Sequence, residues 1–357
     1  MRNGKHKRQT ARSAEMTRRQ WMSVSAALAT TGTLSLGRTT AGAQAAHVPT
    51  HEQTFGLLSA GKKIPVIFDS DIGGDIDDTW ALVYLMKCPE LDVKLLVTDA
   101  GNTVYRARIM AKMMDVFGRS DMPIGIGIRR GNEAGNQSEW IADYPLSQYK
   151  GPIHQDGVKA MVDTIHASPD PVTVIAIGGV PTVAAALRRD PTIVNNARFV
   201  GMHGSIRRGY GENSKPVAEA NVRTDPEALA QVFAAPWECS ITPLDTCDQV
   251  VLTGADYQKV YQCKRPEVRA LMENYKIWSP SWISNSLDRT RRSSTLFDLV
   301  AVYMAYSEKL LRMETLPIRV TDKGMTVVDD TRKPVRCALG WTDLAAFEQE
   351  IVARITA

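Results

Sequence analysis

Ile67-Phe68-Asp69-Ser70-Asp71-Ile72-Gly73-Gly74-Asp75-Ile76-Asp77-Asp78 carries the chain from an apolar, β-branched run into a stretch with helical spacing. Upstream, Ile64–Phe68 has the composition of a buried parallel strand, with no polar residue to mark a wet face. Downstream, Asp78–Lys87 brings Trp80, Leu82, Val83 and Met86 near one another on a helix. The same alternation recurs along the chain. Further short strands are expected at Val93–Val97, Pro123–Ile126, Val172–Ile177, Arg198–Met202 and Cys239–Pro243, with helices at Val104–Phe117, Gly157–Ala167, Pro181–Arg189 and Pro226–Phe233. Thr224-Asp225 before Pro226 supplies a good cap and first turn. This pattern predicts an α/β single domain, a mainly parallel central sheet flanked by helices with a Rossmann-like core. Residues 254–312 read as largely helical, and 315–329 as a terminal strand pair.

Five aspartates within ten residues stand where that first strand ends, the edge at which open α/β sheets bind ligands. So many carboxylates repel one another unless a cation neutralises them. Oxygen-only ligation favours calcium or magnesium over zinc. Helix capping uses fewer acids than this. An EF-hand fails, because the twelfth position from Asp69 is Trp80 rather than a closing glutamate. Strand-Asp69-Ser70-Asp71 also resembles the nucleophile motif of haloacid-dehalogenase phosphatases, but Ile72-Gly73 follows where that motif has Thr or Val.

The formal charge of +4 over 357 residues comes from the N-terminus. Residues 1–45 hold eight basic side chains and one acid, leaving 46–357 at a net −3. The remainder therefore has no global basic bias towards nucleic acid. Thr17-Arg18-Arg19-Gln20, a weakly apolar run Val24–Leu36, and Ala43-Gln44-Ala45 come in the order of a twin-arginine signal peptide. Residues 1–45 are thus expected to direct export to the periplasm or beyond, followed by a flexible segment at 46–61. The apolar run is too short and polar for a membrane span, so no membrane association is expected of the mature form. Five cysteines without a CxxC pair argue against a disulfide framework or a zinc site, with a Cys239–Cys247 bridge left open.

Read with later segments, Asp69–Asp78 resembles the inosine–uridine preferring nucleoside hydrolase family. The family opens with a strand and DxDxGxDD. DSDIGGDIDD here is two residues longer, as in a divergent bacterial branch. Val97-Thr98-Asp99-Ala100-Gly101-Asn102 resembles the family strand that ends in Gly-Asn. His154-Gln155-Asp156-Gly157 resembles its His-Gly-x-Asp-Gly turn, with Gln155 in place of glycine. Ile175-Ala176-Ile177-Gly178-Gly179 resembles the strand whose loop carbonyl binds calcium. Asn213 through Glu219 to Asn221, then Asp225-Pro226-Glu227-Ala228, resembles the ribose-binding stretch and its helix. Leu296-Phe297-Asp298 falls where the family has a metal-binding aspartate. The likeness covers roughly 62–350 and makes 62–357 a catalytic domain.

The resemblance implies calcium-dependent hydrolysis of a ribonucleoside's N-glycosidic bond through an oxocarbenium-like state. Metal ligation falls to Asp71, Asp78, Asp298 and the Ile177 backbone oxygen, with Asp75 able to replace Asp71 through the longer loop. Asp77 is the expected general base. Asn102, His154, Asn213, Glu219 and Asn221 are the expected substrate contacts. Phe297 stands where several members have a histidine that protonates the departing base, a task phenylalanine cannot perform. Trp278 and Trp282, four residues apart on one helix face, are expected to stack on the base. The partner is a nucleoside or related riboside, and a homodimer or homotetramer is expected. Two other functions fit the same residues: a hydrolase of this fold acting on another ribosyl or glycosyl compound, and a non-catalytic exported protein that binds nucleosides or sugars.

Overall fold

Hydrophobic burial on both faces of one sheet organises the chain. In the first strand, Ile64, Val66 and Phe68 join the core on one side, and Ile67 joins the core on the other. Successive side chains of a strand point to opposite faces. Both faces must therefore be covered, which is what helices on either side of a parallel sheet provide. The computed structural model describes residues 48–211, 214–278 and 288–357. Residues Ala46–Ala357 form one compact unit.

In chain order the elements are α1 (His51–Ser59), β1 (Ile64–Ser70), α2 (Asp77–Met86), β2 (Leu91–Thr98), α3 (Thr103–Val116), β3 (Ile124–Ile126), β4 (Ile153–His154), α4 (Gly157–Ala167), β5 (Val172–Ala176) and α5 (Pro181–Arg189). They continue with β6 (Ala197–Met202), α6 (Ala220–Thr224), α7 (Pro226–Ala234), β7 (Cys239–Thr242), α8 (Leu244–Cys247), α9 (Gly254–Tyr261) and α10 (Pro266–Trp278). The last are α11 (Leu299–Met304), β8 (Leu311–Val320), β9 (Thr326–Val328), β10 (Pro334–Trp341) and α12 (Leu344–Thr356). The sheet order is β4-β3-β2-β1-β5-β6-β7-β10-β8-β9. From β4 to β10 every neighbouring pair is parallel, while β10–β8 and β8–β9 are antiparallel.

The chain leaves β1 towards β2, β3 and β4, then returns to β1's other side as β5. That reversal is the topological switch point, and its crevice lies at the carboxyl ends of β1 and β5. The α/β class, the parallel sheet and the single domain agree with the sequence reading. Two details differ. Part of the segment expected to be flexible, 46–61, forms α1, closed at its start by a capping box between Thr50 and Gln53. The terminal strand pair has a third member, β10, which inserts between β7 and β8. Among the described residues, no helix is long and apolar enough to cross a membrane.

Candidate active site

The loop after β1 is held by its backbone, which leaves its carboxylates to face the crevice. Tyr105 donates to the Gly73 carbonyl (3.1 Å), Arg106 Nη1 to that of Ile72 (2.8 Å), Asn136 to that of Gly74 (3.1 Å) and Gln137 to that of Asp75 (3.1 Å). Gly73 turns at φ +100°, where a Cβ would lie 2.6 Å from Tyr105 and Ile109 side-chain atoms, so only glycine fits. Asp77 and Asp78 open α2, but its cap residue is Ile76 and no side chain caps it. The acids are not consumed by capping.

Asp298, 220 residues beyond Asp78 in sequence, opens α11, and it too makes no capping bond. Oxygen atoms of Asp77, Asp78 and Asp298 all lie within 4.8 Å of one another, and all three residues are buried. Burial and mutual repulsion push each carboxyl well above its ordinary range. Ser70 Oγ donates to Asp78 (2.6 Å) and opposes part of that rise. Asp69 is fully buried, and among the described residues neither of its carboxylate oxygens has a partner. Asp71 is partly exposed, 3.6 Å from Arg106 Nη2; burial raises its pKa and the guanidinium lowers it. Asp75 is exposed at the rim and accepts its neighbour Ile76's amide (2.7 Å).

Asp71, Asp75, Asp77, Asp78 and Asp298, with Glu219 and Asn221, line a cavity of about 240 Å³, and among the described residues its wall includes no lysine, arginine or histidine. Three crowded carboxylates, all offering oxygen, suit a hard divalent ion better than a soft metal. Ile177 lines the same cavity. Its loop is fastened from three elements: Asn221 Nδ2 donates to the Ile177 carbonyl (3.0 Å), His203 Nε2 to that of Gly178 (2.8 Å), and the Asp99 carboxylate accepts the amides of Val180 and Thr182 (2.7 and 3.1 Å). Val180 sits at φ +61°, a costly conformation for a β-branched residue, directly at that Asp99 anchor.

Glu219 is buried and caps α6. Its oxygens accept the amides of Asn221 (2.7 Å), Gly204 (3.1 Å) and Val222 (3.2 Å). Burial still pushes its carboxyl up to about 7, against the pull of those bonds. Asn221's amide nitrogen is engaged with Ile177 and Met202, which leaves its oxygen for a ligand.

The structure thus brings Asp71, Asp75, Asp77, Asp78, Ile177, Glu219, Asn221 and Asp298 to one cavity. Three expected residues stay outside. Asn102 is the N-cap of α3, accepting from Tyr105 N and donating to the Asn132 carbonyl. His154 is exposed on the edge strand β4, three strands from β1, or about 14 Å at ~4.8 Å per strand. Trp278 is buried and stacks on Tyr275 (6.0 Å, 25°), which meets Trp80 edge-on. It is core, because its helix turns that ring inward against Tyr275. Asn213 and Trp282 lie outside the described residues, as does the expected signal peptide. Phe297 does line the cavity, together with Tyr210, which the sequence reading missed. Tyr210 follows β6 between two glycines, on a loop at the carboxyl edge of the sheet, and that position was its available signal.

Comparison with known proteins points to one family and its fold. The model for the inosine-uridine preferring nucleoside hydrolase family matches residues 66–349. A non-specific ribonucleoside hydrolase of Escherichia fergusonii is 32% identical over 54% of this chain, and the match spans 64% of that protein, just under two thirds. The inosine-uridine preferring nucleoside hydrolase of Crithidia fasciculata is 28% identical over 74% of this chain and 87% of its own. In fold, a purine-preferring ribonucleoside hydrolase from Gardnerella vaginalis superposes with a TM-score of 0.67 at 21% identity, over 82% of this chain and 98% of that one.

Proposed function

The chain belongs to the inosine-uridine preferring nucleoside hydrolase family, and on that footing we propose that it hydrolyses the C–N bond between ribose and base in ribonucleosides, with calcium as its metal. The observation that carries the reading is the meeting of Asp298 with Asp77 and Asp78 in a small acidic cavity that also holds Glu219 and Asn221. Asp77, Asp78, Asp298 and the Ile177 carbonyl would hold the ion. When bound, it supplies positive charge that orients the sugar diol and acidifies a water.

The remaining work falls to the protein's own groups. Hydrolysis needs a base for the attacking water, and Asp77 was the expected one. Its carboxylate is inside the ligand triad, so the base role passes to Asp71, which lies outside the triad and partly exposed. Burial raises Asp71's affinity for a proton, and Arg106 keeps the ionised form accessible. Glu219 and the Asn221 amide oxygen take ribose hydroxyls, held on one side of the cavity by the α6 capping bonds.

The test is a ribose-release assay on inosine and uridine with and without a chelator, beside calcium titration calorimetry. Asp298→Asn is expected to lose both calcium binding and activity. Asp71→Asn is expected to bind calcium and lose about 10²–10⁴-fold in kcat, the usual worth of a general base. Wild-type activity in chelator refutes the metal assignment, and full activity in Asp71→Asn refutes the base. Export through the Arg18-Arg19 signal is part of the same proposal. Replacing both arginines with lysine is expected to hold the protein in the cytoplasm.

A further inference from the structure

We propose that Tyr210 donates the proton that the departing base needs, the task left open by Phe297. This rests on the hydrolase reading above and names a residue for one of its steps. Phe297 immediately precedes Asp298 and lines the cavity, at the position where the family resemblance puts the acid for the departing base. Its ring carries no exchangeable proton. Tyr210 comes from the loop after β6 and meets Phe297 edge-on, with ring centroids 5.9 Å apart and planes at 85°. The two rings form one wall of the cavity.

The Tyr210 hydroxyl accepts the Ala220 amide at 3.0 Å. Ala220 lies between Glu219 and Asn221, so the phenol oxygen is anchored where the sugar and leaving-group ends of the pocket join. Among the described residues no bond uses the phenol hydrogen. The other polar wall groups contributed by α6 and its cap are committed. Thr224 Oγ1 donates to the Ala220 carbonyl (3.0 Å). Asn221 Nδ2 donates to two carbonyls, and the Glu219 oxygens accept three amides. Asp77, Asp78 and Asp298 crowd the ion site. Burial and the nearby Glu219 charge push the Tyr210 phenol above its ordinary range, so it carries its proton at neutral pH. The residue is 44% exposed, unusual for a large ring, and a base seated on the wall would cover it.

The step balances as follows. The C1′–N bond breaks heterolytically, and its electron pair stays on the base nitrogen. The Tyr210 proton passes to an acceptor atom of the base, which leaves neutral. Water adds to C1′ and gives its proton to the carboxylate base. That proton reaches solvent, and solvent returns one to the Tyr210 phenolate. The sum is nucleoside plus water giving ribose plus base.

The experiment compares Tyr210→Phe with wild type on inosine, on uridine and on 4-nitrophenyl β-D-riboside, whose nitrophenolate departs without a proton. Phenylalanine keeps the ring and its contact with Phe297 and deletes only the hydroxyl. We expect kcat on the two nucleosides to fall about 10²–10⁴-fold, and kcat on the nitrophenyl riboside to change by less than about threefold, a tiny part of the acid's worth. The double variant Tyr210→Phe/Phe297→His is expected to regain nucleoside hydrolysis selectively, since histidine restores a donor at the same wall. Equal losses on all three substrates would overturn the assignment as a structural effect, and so would no loss on the nucleosides. A wild type that cleaves the nitrophenyl riboside but neither nucleoside overturns the assignment alone. A wild type inert on all three overturns the parent reading and this one with it.

Discussion

Changing His203 to glutamine should remove a pH dependence of stability that the structure locates in one buried ring. His203 is fully buried at the end of β6, tilted against Phe199, with Nε2 donating to the Gly178 carbonyl at 2.8 Å. Nδ1 has no partner among the described residues, so it is the bare nitrogen of the neutral tautomer. Protonation would place a charge and an unpaired N–H in the core. Desolvation therefore drives the ring's pKa from 6.5 down to about 4, while the Gly178 bond opposes part of the shift. The folded value lies below the unfolded one, so as pH falls the unfolded chain takes the proton first. The stabilisation is complete above pH 6.5, declines between 6.5 and about 4, and is gone below. At about 1.4 kcal/mol per pKa unit, it amounts to roughly 3 kcal/mol by pH 4.

Glutamine does not titrate and keeps an N–H that can reach Gly178. Urea unfolding of both proteins at pH 7.5 and pH 4 measures the effect as a difference, which cancels every other titrating group. The stability gap between them should move by about 3 kcal/mol in the variant's favour on acidification. A gap that stays constant across that window would refute the reasoning, because it would mean the ring carries the same charge folded and unfolded.

Other consequences are cheaper to check. Asp99→Ala strips the acceptors of two buried amides, at a cost of about 2–5 kcal/mol. It should also weaken the proposed calcium binding, because the released loop carries the Ile177 carbonyl proposed as a ligand; a melt and a calcium titration read the two effects. Arg198 is buried and ties the Met304 and Ala305 carbonyls at the end of α11. Arg198→Met should lower the urea midpoint by an amount equivalent to about 2–3 kcal/mol. All five cysteines are free, so dithiothreitol should leave the melting temperature unchanged.

The fold was legible wherever an apolar run met a helical period at close range, as at β1–α2 or β5–α5, where capping and burial agree locally. The place of β10 was not. Pro334–Trp341 shows a strand-like pattern, but its insertion between β7 and β8 is decided by partners about 20 and 100 residues away. The expected contacts that lie outside the cavity share one cause. Asn102, His154 and Trp278 are chemically suited to ligands, yet a local cap, an edge strand and a core face use or divert them. Sequence shows which residues can do a task and not which way the backbone turns them. Tyr210 was missed for the converse reason: its role depends on a loop folding back over Phe297, and no period or spacing records that return.

The acidic stretch shows both sides of this limit. Like charges crowded at a strand end announce a cation from sequence alone, because their repulsion holds in any backbone conformation. Which of them meet it depends on the two-residue extension. Gly73 turns where no side chain fits, Tyr105, Asn136 and Gln137 take the carbonyls that follow, and Asp75 finishes exposed at the rim with its oxygen on Ile76's amide. The longer loop thus adds a carboxylate without placing it in the triad. Asp77 and Asp78 are instead fixed by the first turn of α2, whose Trp80 and Leu82 are buried in the core. The extra acid raises the negative potential at the mouth, and the buried triad is drawn from residues that the starts of α2 and α11 hold still.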